Sequence, residues 1–130
     1  MRLFRFSLPW STVIHNSLTV IFVPAGDFVS PFGYKSARAE SDMRGKSAGC
    51  EVQATLQFSD DLEGTNAVLV AVGQNMSADQ FYPPSTTVAD ILANCNRYRY
   101  VRPGWHVKVA AGQSGTVWAR VGGVIELTSV

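Results

Sequence analysis

The side chains that could do catalytic chemistry are few in this chain and lie far apart in its sequence. The chain has two histidines, His15 and His106, and two cysteines, Cys50 and Cys95. A nucleophile–histidine pair or a transition-metal site needs such groups close together, and no two of them are sequence neighbours. The GxSxG, HExxH, CxxC and phosphate-binding glycine motifs do not occur. We therefore predict no catalytic residue, no cofactor and no metal site, and a protein that is not an enzyme.

A group of acidic residues, Asp60, Asp61 and Glu63, falls within a stretch rich in turn-forming residues. Several carboxylates on one loop can hold a calcium ion. The spacing of these three does not match a calcium-binding loop, and charged turns are commonly just solvated. The sequence therefore favours a solvated turn over a metal site.

Basic and aromatic residues alternate over residues 97–102. On a strand the two faces would hold Arg97, Arg99 and Val101, and Tyr98, Tyr100 and Arg102. This pattern fits a single-strand nucleic-acid binder, a protein interface, or an exposed strand with its tyrosines half in the core. A formal net charge of only +1 argues against nucleic acid as the partner.

Three tryptophans, Trp10, Trp105 and Trp118, could form a carbohydrate-binding platform. Trp105 aligns with Val107 and Val109, which predicts a core position. Trp118 shares a strand face with Arg120, opposite the apolar residues of its strand, so we expect it to be exposed. An exposed tryptophan beside an arginine is equally suited to anchor a subunit contact.

The element that must position the rest is the segment from Cys50 to Gly73. Apolar and polar residues alternate strictly from Cys50 to Phe58, which predicts a half-buried strand. After a turn, residues 67–72 are continuously apolar, as in a central strand covered on both faces. These segments predict a hairpin. Valine is about twice as frequent as leucine, which favours sheet over helix.

The remaining pattern predicts several short strands and one helix. Val88, Ile91, Leu92 and Cys95 form an apolar stripe at helical spacing, with Thr87 as a candidate N-cap. Strands are expected at residues 2–6, 17–23, 97–102, 105–109, 116–121 and 124–128, with turns at 9–11 and 103–104 and a bulge or bend at 122–123. The predicted fold is a single all-β domain spanning residues 1–130, a sandwich or jelly-roll-like barrel of about eight short strands with one short helix at about 86–95.

Two connecting segments show no regular period, 73–85 and the longer 27–49. We predict a long irregular loop at 27–49. Such a loop is uncommon in a compact domain, and a polar segment of this length needs a surface to lie against. A neighbouring subunit is the more economical surface, and the chain's own sheet is the alternative. In the first case Phe28, Phe32 and Tyr34 would be buried against the neighbour.

The function favoured by these observations is structural. The chain lacks a chemical motif, carries a long polar loop and has aromatic–arginine strands suited to interfaces. We interpret it as a homo-oligomerising subunit of a large symmetric particle, with a viral capsid, decoration or tail component as the preferred example, packing against itself and other structural proteins. A second contact would be anchored by Arg99, Tyr100, Trp118 and Arg120. A carbohydrate-binding sandwich module is the alternative, and a small enzyme of unknown chemistry is the third, since a fold does not determine function.

The N-terminal residues and the cysteines indicate the compartment in which the chain is made. Arg2 and Arg5 precede an apolar run, but Pro9 and His15 interrupt it, so we predict synthesis in the cytoplasm without a signal peptide. No segment approaches the length of a membrane span. Two cysteines permit one disulfide, and two buried thiols in a reducing compartment are the simpler interpretation. We expect the protein to be part of a virion or another large assembly.

Overall fold

The computed structural model describes residues 1–16, 20–110, 113 and 115–129. Within them eight strands form two sheets, accompanied by one short helix. These elements are β1 (Leu3–His15), β2 (Ile21–Pro24), β3 (Ser36–Lys46), β4 (Cys50–Ser59), β5 (Val68–Ala71), β6 (Phe81–Thr87), α1 (Ala89–Cys95), β7 (Tyr100–Val109) and β8 (Val117–Thr128).

Each sheet has four strands, and all neighbouring strands are antiparallel. Sheet A has the order β1-β8-β3-β6, and sheet B has the order β2-β7-β4-β5. Strand one pairs with eight, two with seven, three with six and four with five. These pairings place the strands in two antiparallel layers, which is a β-sandwich. The predicted all-β sandwich with one short helix is confirmed.

The core lies between the two sheets, where the inward side chains of alternate residues meet. The inward residues of β4, from Cys50 to Phe58, are fully buried, as their alternation predicted. Trp105 of β7 is also in the core, at 1% exposure. Helix α1 buries Ile91 and Cys95, while the other two residues of its predicted stripe remain exposed.

Two details of the helix and hairpin differ from the predictions. The N-cap of α1 is Val88, with no side-chain hydrogen bond, so Thr87 does not cap it. In the hairpin, β4 is the interior strand, paired with both β7 and β5, while β5 lies at the edge of sheet B. The four-residue β5 is apolar yet half open to solvent, because a short apolar run does not itself distinguish an edge from a central strand. In the described part of the chain, no helix is long and apolar enough to cross a membrane.

The prediction of an irregular loop at 27–49 is wrong, because β3 occupies residues 36–46. This strand pairs with β8 on one side and β6 on the other. Its inward residues, all buried, are Ala37, Ala39, Ser41 and Met43. Three of the four are small, so the alternation lacked the hydrophobic signal of a strand. The segment lies against its own sheet and needs no neighbour to hold it.

Residues before β3 also pack on their own chain. The backbone groups of Val29 and Val101 exchange two hydrogen bonds, with N–O distances of 2.8 and 2.9 Å. The amide of Lys35 donates to the carbonyl of Thr128 at 2.7 Å. The inference that this stretch borrows a surface from an adjoining molecule is therefore overturned.

The predicted turns at 9–11 and 103–104 lie inside strands. Proline is tolerated in β1 because that strand is at the edge of sheet A, and its register shifts between Leu8 and Ser11. Gly104 is in β7, where a Cβ would lie 2.5 Å from the carbonyl oxygen of Val23, so close packing of β2 requires the glycine. Likewise 73–85 is not wholly irregular, since β6 begins at Phe81. The predicted strand residues 17–19 lie outside the described residues.

Candidate functional site

Two of the predicted interface residues, Trp118 and Arg120, lie on the outer face of sheet A. Trp118 is 43% exposed and pairs across the strands with Ile14, which is 60% exposed. Arg120 pairs with Thr12 in the same way and is exposed. Cross-strand partners on one face of a sheet have neighbouring side chains. We call Ile14, Trp118 and Arg120 the outer-face patch.

Trp118 is held firmly by the segment that follows β3. Its amide donates to Oγ of Ser47 at 2.8 Å, and its carbonyl accepts from the Ser47 amide at 2.8 Å. Its ring lies over Gly45, where a Cβ would be 3.5 Å from the ring. The tryptophan is thus presented on a fixed backbone with much of its ring open to solvent.

The patch continues to Trp10, which is 46% exposed. The guanidinium carbon of Arg120 lies 5.6 Å from the centroid of the Trp10 ring, within the range of a cation–π contact. Trp105 is in the core, so the three tryptophans do not form one platform. Two of them, Trp10 and Trp118, are on the same sheet surface.

Arg99 and Tyr100 do not join Trp118 and Arg120. Tyr100 begins β7 in sheet B, whereas Trp118 is in β8 of sheet A. The Tyr100 ring instead packs against Phe28, with centroids 6.0 Å apart. The amide of Arg99 donates to a carboxylate oxygen of Asp60 at 3.3 Å. The predicted four-residue contact is therefore split between two surfaces, because β7 and β8 belong to opposite layers.

The other aromatic residues predicted for the loop have different environments. Phe32 is 73% exposed. Tyr34 is buried at 7% exposure, with the Arg2 guanidinium carbon 4.5 Å from its ring centroid. Arg2 also donates to the carbonyl of Phe32. Tyr34 is thus covered by its own chain, contrary to its predicted burial against a neighbour, while Phe32 remains accessible.

The tyrosines of the 97–102 segment are occupied by contacts within the chain. Tyr98 lies 6.3 Å from Phe58, centroid to centroid, and is half-buried. Arg97 and Arg102 in turn stack over Tyr98 and Phe28, at 5.5 and 4.4 Å. The predicted strand over 97–102 is wrong for residues 97–99, because β7 begins at Tyr100, while Tyr98 and Tyr100 are half-buried as the third interpretation expected.

The cysteines are suited to packing rather than to nucleophilic chemistry. Both thiols are free and buried. Burial raises the pKa of Cys95 to about 11 and also raises the pKa of Cys50. A thiol with a raised pKa stays protonated near neutral pH and is a poor nucleophile. Burial, together with nearby Lys108, lowers the pKa of His106, which favours the neutral imidazole.

Asp61 organises the turn between β4 and β5. Its carboxylate accepts from the amides of Glu63 and Thr65 at 3.0 and 3.1 Å, and from the hydroxyl of Thr65. These hydrogen bonds, led by that of the Thr65 hydroxyl, lower the pKa of Asp61. The acidic cluster predicted from the sequence therefore contains at least one carboxylate with a structural role.

A groove that the sequence analysis missed crosses the outer face of sheet A next to the patch. Its volume is about 350 Å³. It receives residues from all four strands of the sheet, namely Ser7, Leu8, Pro9 and Trp10 from β1, Gly122, Gly123 and Val124 from β8, Glu40, Ser41 and Asp42 from β3, and Phe81 from β6. We call it the glycine groove.

The groove forms where a glycine pair in the centre of the sheet faces two irregular edges. The register of β1 shifts between Leu8 and Ser11, and that of β6 shifts opposite Ala39 and Ser41. A bulge or bend was predicted at 122–123. Instead β8 stays in sheet A, and the register shifts are at the proline-containing edges beside it.

The polar groups of the groove differ in how they are satisfied. Asp42 forms an ion pair with Arg44, with 3.0 Å between Oδ1 and Nε. Glu40 is half-buried and has no ion pair among the described residues. Ser41 is 1% exposed and its side chain faces the core rather than the groove; within the described ranges its Oγ has no hydrogen-bond partner. The alternation of small and charged residues from Ala37 to Arg44 was the signal that could have located this strand and its polar side chains.

Neither a family model nor a curated protein matches the sequence. Solved structures do match in fold. A structure of infectious bursal disease virus, Gx strain, aligns with a TM-score of 0.61 at 9% identity, and one of the Gt strain with 0.60 at 13%. A crystal structure of the VP2 subviral particle of the same virus aligns with 0.54 at 14%. Each alignment covers 97% of this chain but only 31–32% of the matched chain. The chain therefore shares its β-sandwich fold with viral capsid proteins and spans about a third of their length.

Proposed function

We propose that this protein is a non-enzymatic structural subunit of a virion or similar particle, which assembles with copies of itself through the outer-face patch. The observation that carries the proposal is the exposed Trp118–Ile14 pair beside Arg120 on a regular sheet surface. The likeness in fold to viral capsid proteins supports the same role. Synthesis in the cytoplasm and packing against other structural proteins belong to this proposal.

The composition of the patch suits a subunit contact. Tryptophan and arginine are the residue types most enriched among those that dominate binding energy. The backbone of Trp118 is held by hydrogen bonds to the hydroxyl and the amide of Ser47, so presenting this residue to a partner requires little ordering of the chain. Ile14 adds apolar area directly beside it. A second copy that covered these side chains would remove them from water without rearranging the sheet.

The sheet edges are less suited to assembly than the face. An exposed edge invites strand addition unless it is short or interrupted by proline. In sheet A, β1 contains Pro9 and β6 contains Pro83 and Pro84. In sheet B the edge strands β2 and β5 have four residues each. Association through side chains on a face is therefore favoured over continuation of a sheet.

The subunit contact predicted for residues 27–49 involves fewer aromatic residues than expected. Tyr34 is covered by Arg2, and Phe28 by Tyr100 and Arg102, so neither is free to enter a neighbour. Phe32 remains exposed and is the residue from this segment that we assign to a second contact. Arg99 is also exposed and lies on a different surface from the patch.

Light scattering on the purified protein tests the proposal. The unmodified chain is expected to form oligomers at micromolar concentration. Trp118→Ala should weaken them by about 2 kcal/mol per contact, or roughly 30-fold in dissociation constant. The matched control is Leu62→Ala, since Leu62 is 61% exposed on the β4–β5 turn, away from the patch. The control should associate like the unmodified chain.

Two results would contradict the proposal. An unmodified chain that is strictly monomeric at micromolar concentration would show that the patch does not drive self-association. A Trp118→Ala variant that associates normally would show that the contact lies elsewhere. Thermal melting of the monomer serves as the check on folding, because a large loss of stability in this variant would assign Trp118 to the core of its own subunit.

A further inference from the structure

We propose that the outer-face patch docks into the glycine groove of a second copy of the chain. The two copies are related by a two-fold axis, so that each supplies one patch and one groove. The docking rests on the self-association through the patch and specifies the surface that the patch meets. It also gives Glu40, which lines the groove, a role as the partner of Arg120 across the contact.

The patch and the groove lie on the same face of sheet A, at different levels along β8. Trp118 belongs to the patch, and Val124 lines the groove six residues further along the strand. Because a strand rises about 3.3 Å per residue, the two levels are about 20 Å apart. A patch therefore cannot enter the groove of its own copy. A second copy turned end to end can bring its patch there.

A two-fold axis that lies between the two faces and crosses the strands at the level of Val121 produces this exchange. It places Trp118 of one copy over Val124 of the other. Ile14, the cross-strand partner of Trp118, then lies over Ser7, the cross-strand partner of Val124. Ser7 and Val124 both line the groove. Because the axis relates the two copies, the same contact is formed twice.

The groove has room for the apolar side chains of the patch. Its volume of about 350 Å³ lies within the range of sites that hold a small molecule, roughly 300–1,000 Å³. Gly122 brings no side chain into this space, and Phe81, which is 49% exposed, adds an apolar wall on the β6 side. Insertion of the Trp118 ring removes apolar surface of both copies from water.

The charges without partners at the two levels are opposite in sign. Arg120 of the patch is exposed and has no ion pair among the described residues. Glu40, the half-buried cross-strand partner of Val124, has no ion pair in the described part of the chain either. In the docked pair Arg120 of one copy lies over Gly122 of the other, one level away from Glu40. Such charge complementarity across a contact fixes its register.

The same charges disfavour the other two-fold arrangement of two such faces. An axis running along β8 would set each level of the sheet against itself, so that Arg120 met Arg120 and groove faced groove. Like charges brought together across an interface are strongly unfavourable. The end-to-end arrangement is therefore the one that both covers the Trp118 ring and brings opposite charges together.

Charge exchange tests the docking, with the dissociation constant of the oligomer measured by light scattering and analytical ultracentrifugation. Arg120→Glu and Glu40→Lys should each weaken association at least about tenfold, because like charges then meet at both copies of the contact. In the double variant Arg120→Glu/Glu40→Lys opposite charges meet again. Its dissociation constant should return to within about threefold of that of the unmodified chain.

Glu63 supplies the matched controls, because it is exposed on the β4–β5 turn, away from sheet A. Glu63→Lys alone should associate like the unmodified chain. Arg120→Glu/Glu63→Lys has the same net charge as the first double variant but no restored pair, so it should remain weak. Thermal melting checks the folding of each variant. If Glu40→Lys unfolds, the nearly isosteric Glu40→Gln removes the charge and should still weaken association about threefold.

Three outcomes would overturn the docking, and they differ in what they leave of the proposed function. If Trp118→Ala weakens association while Arg120→Glu and Glu40→Lys associate normally, the patch binds a different surface and the proposed function survives. The same holds if Arg120→Glu/Glu40→Lys is as weak as the single variants. An unmodified chain that is monomeric overturns the docking together with the proposed function.

Discussion

The neighbouring glycines of β8 allow the register of sheet A to be tested by two matched substitutions. A Cβ at Gly123 would lie 2.4 Å from the carbonyl oxygen of Glu40 and 3.0 Å from the Cα of Ser41. Both are backbone atoms of β3, and the first distance is about 1 Å shorter than ordinary contact. To accommodate a methyl group there, β3 and β8 would have to separate in the middle of the sheet.

The cost of Gly123→Ala follows from that separation. Forcing extra volume into a packed site costs about 1–3 kcal/mol, and weakening a ladder hydrogen bond adds about 1 kcal/mol. We expect a loss of about 3 kcal/mol in the free energy of unfolding. For a chain of this size that corresponds to a fall of roughly 10–15 °C in melting temperature.

Gly122→Ala is the control, because it adds the same methyl group one residue earlier. Its Cβ would lie 3.1 Å from Cδ2 of Trp10 and 3.4 Å from the carbonyl oxygen of Leu8. Trp10 is half exposed and can move by a few tenths of an ångström. Replacing glycine also reduces the entropy of the unfolded chain, which favours folding by up to about 1 kcal/mol. The net change should stay within about 1 kcal/mol.

Urea denaturation and thermal melting, followed by circular dichroism, measure both variants. The expected result is a marked loss for Gly123→Ala and a small change for Gly122→Ala. Equal losses for the two variants, or a Gly123→Ala protein as stable as the unmodified one, would refute the close approach of β3 and β8 at this point.

Two further predictions concern titratable groups. The raised pKa of Cys95 means that the folded state favours the protonated thiol, so stability is complete below pH 9 and falls as pH rises towards about 11. This loss is at most about 1.4 kcal/mol per pH unit and should be smaller in Cys95→Ala. Urea denaturation between pH 9 and about 11 measures it. An unchanged slope of the free energy of unfolding against pH in this variant would contradict the prediction. The pKa of Asp61 is lowered by its turn hydrogen bonds, so its contribution is present above pH 3.8 and is lost as pH falls through the lowered value. Asp61→Asn should lower the melting temperature at pH 7 and weaken its dependence on pH under acid conditions, whereas the control Glu63→Gln should do neither. Equal behaviour of the two variants would contradict the role of Asp61.

The sequence predicted strands best where large apolar residues alternate with polar ones. The strand from Cys50 to Phe58 was recognised because its inward residues are apolar and mostly large. The prediction failed for β3, whose inward residues are mostly alanine and serine, although its alternation with charged residues is as strict. The turns predicted at Pro9 and Gly104 are wrong, since this proline is tolerated at a sheet edge and this glycine is required by close packing rather than by a turn.

The candidate sites were predictable only in part for a similar reason. Strand periodicity correctly placed Trp118 and Arg120 on an exposed face. It could not show that Tyr100 belongs to the other layer. Alternation along one strand gives the face on which a residue lies, but the sheet that the strand joins depends on contacts that are distant in sequence. The glycine groove combines residues from four strands that are distant in sequence. No single stretch of the chain contains enough of it to be recognised.

The strand order has a consequence for how the protein matures during synthesis. In sheet A, β1 pairs with β8 alone, and β8 lies between β1 and β3. The ribosome therefore releases the first strand long before its partner exists, and β1 must wait with its backbone groups unpaired. Since β8 fills the middle of the layer, this half of the sandwich can close only after β8 has been synthesised. A topology dominated by such distant pairings folds slowly.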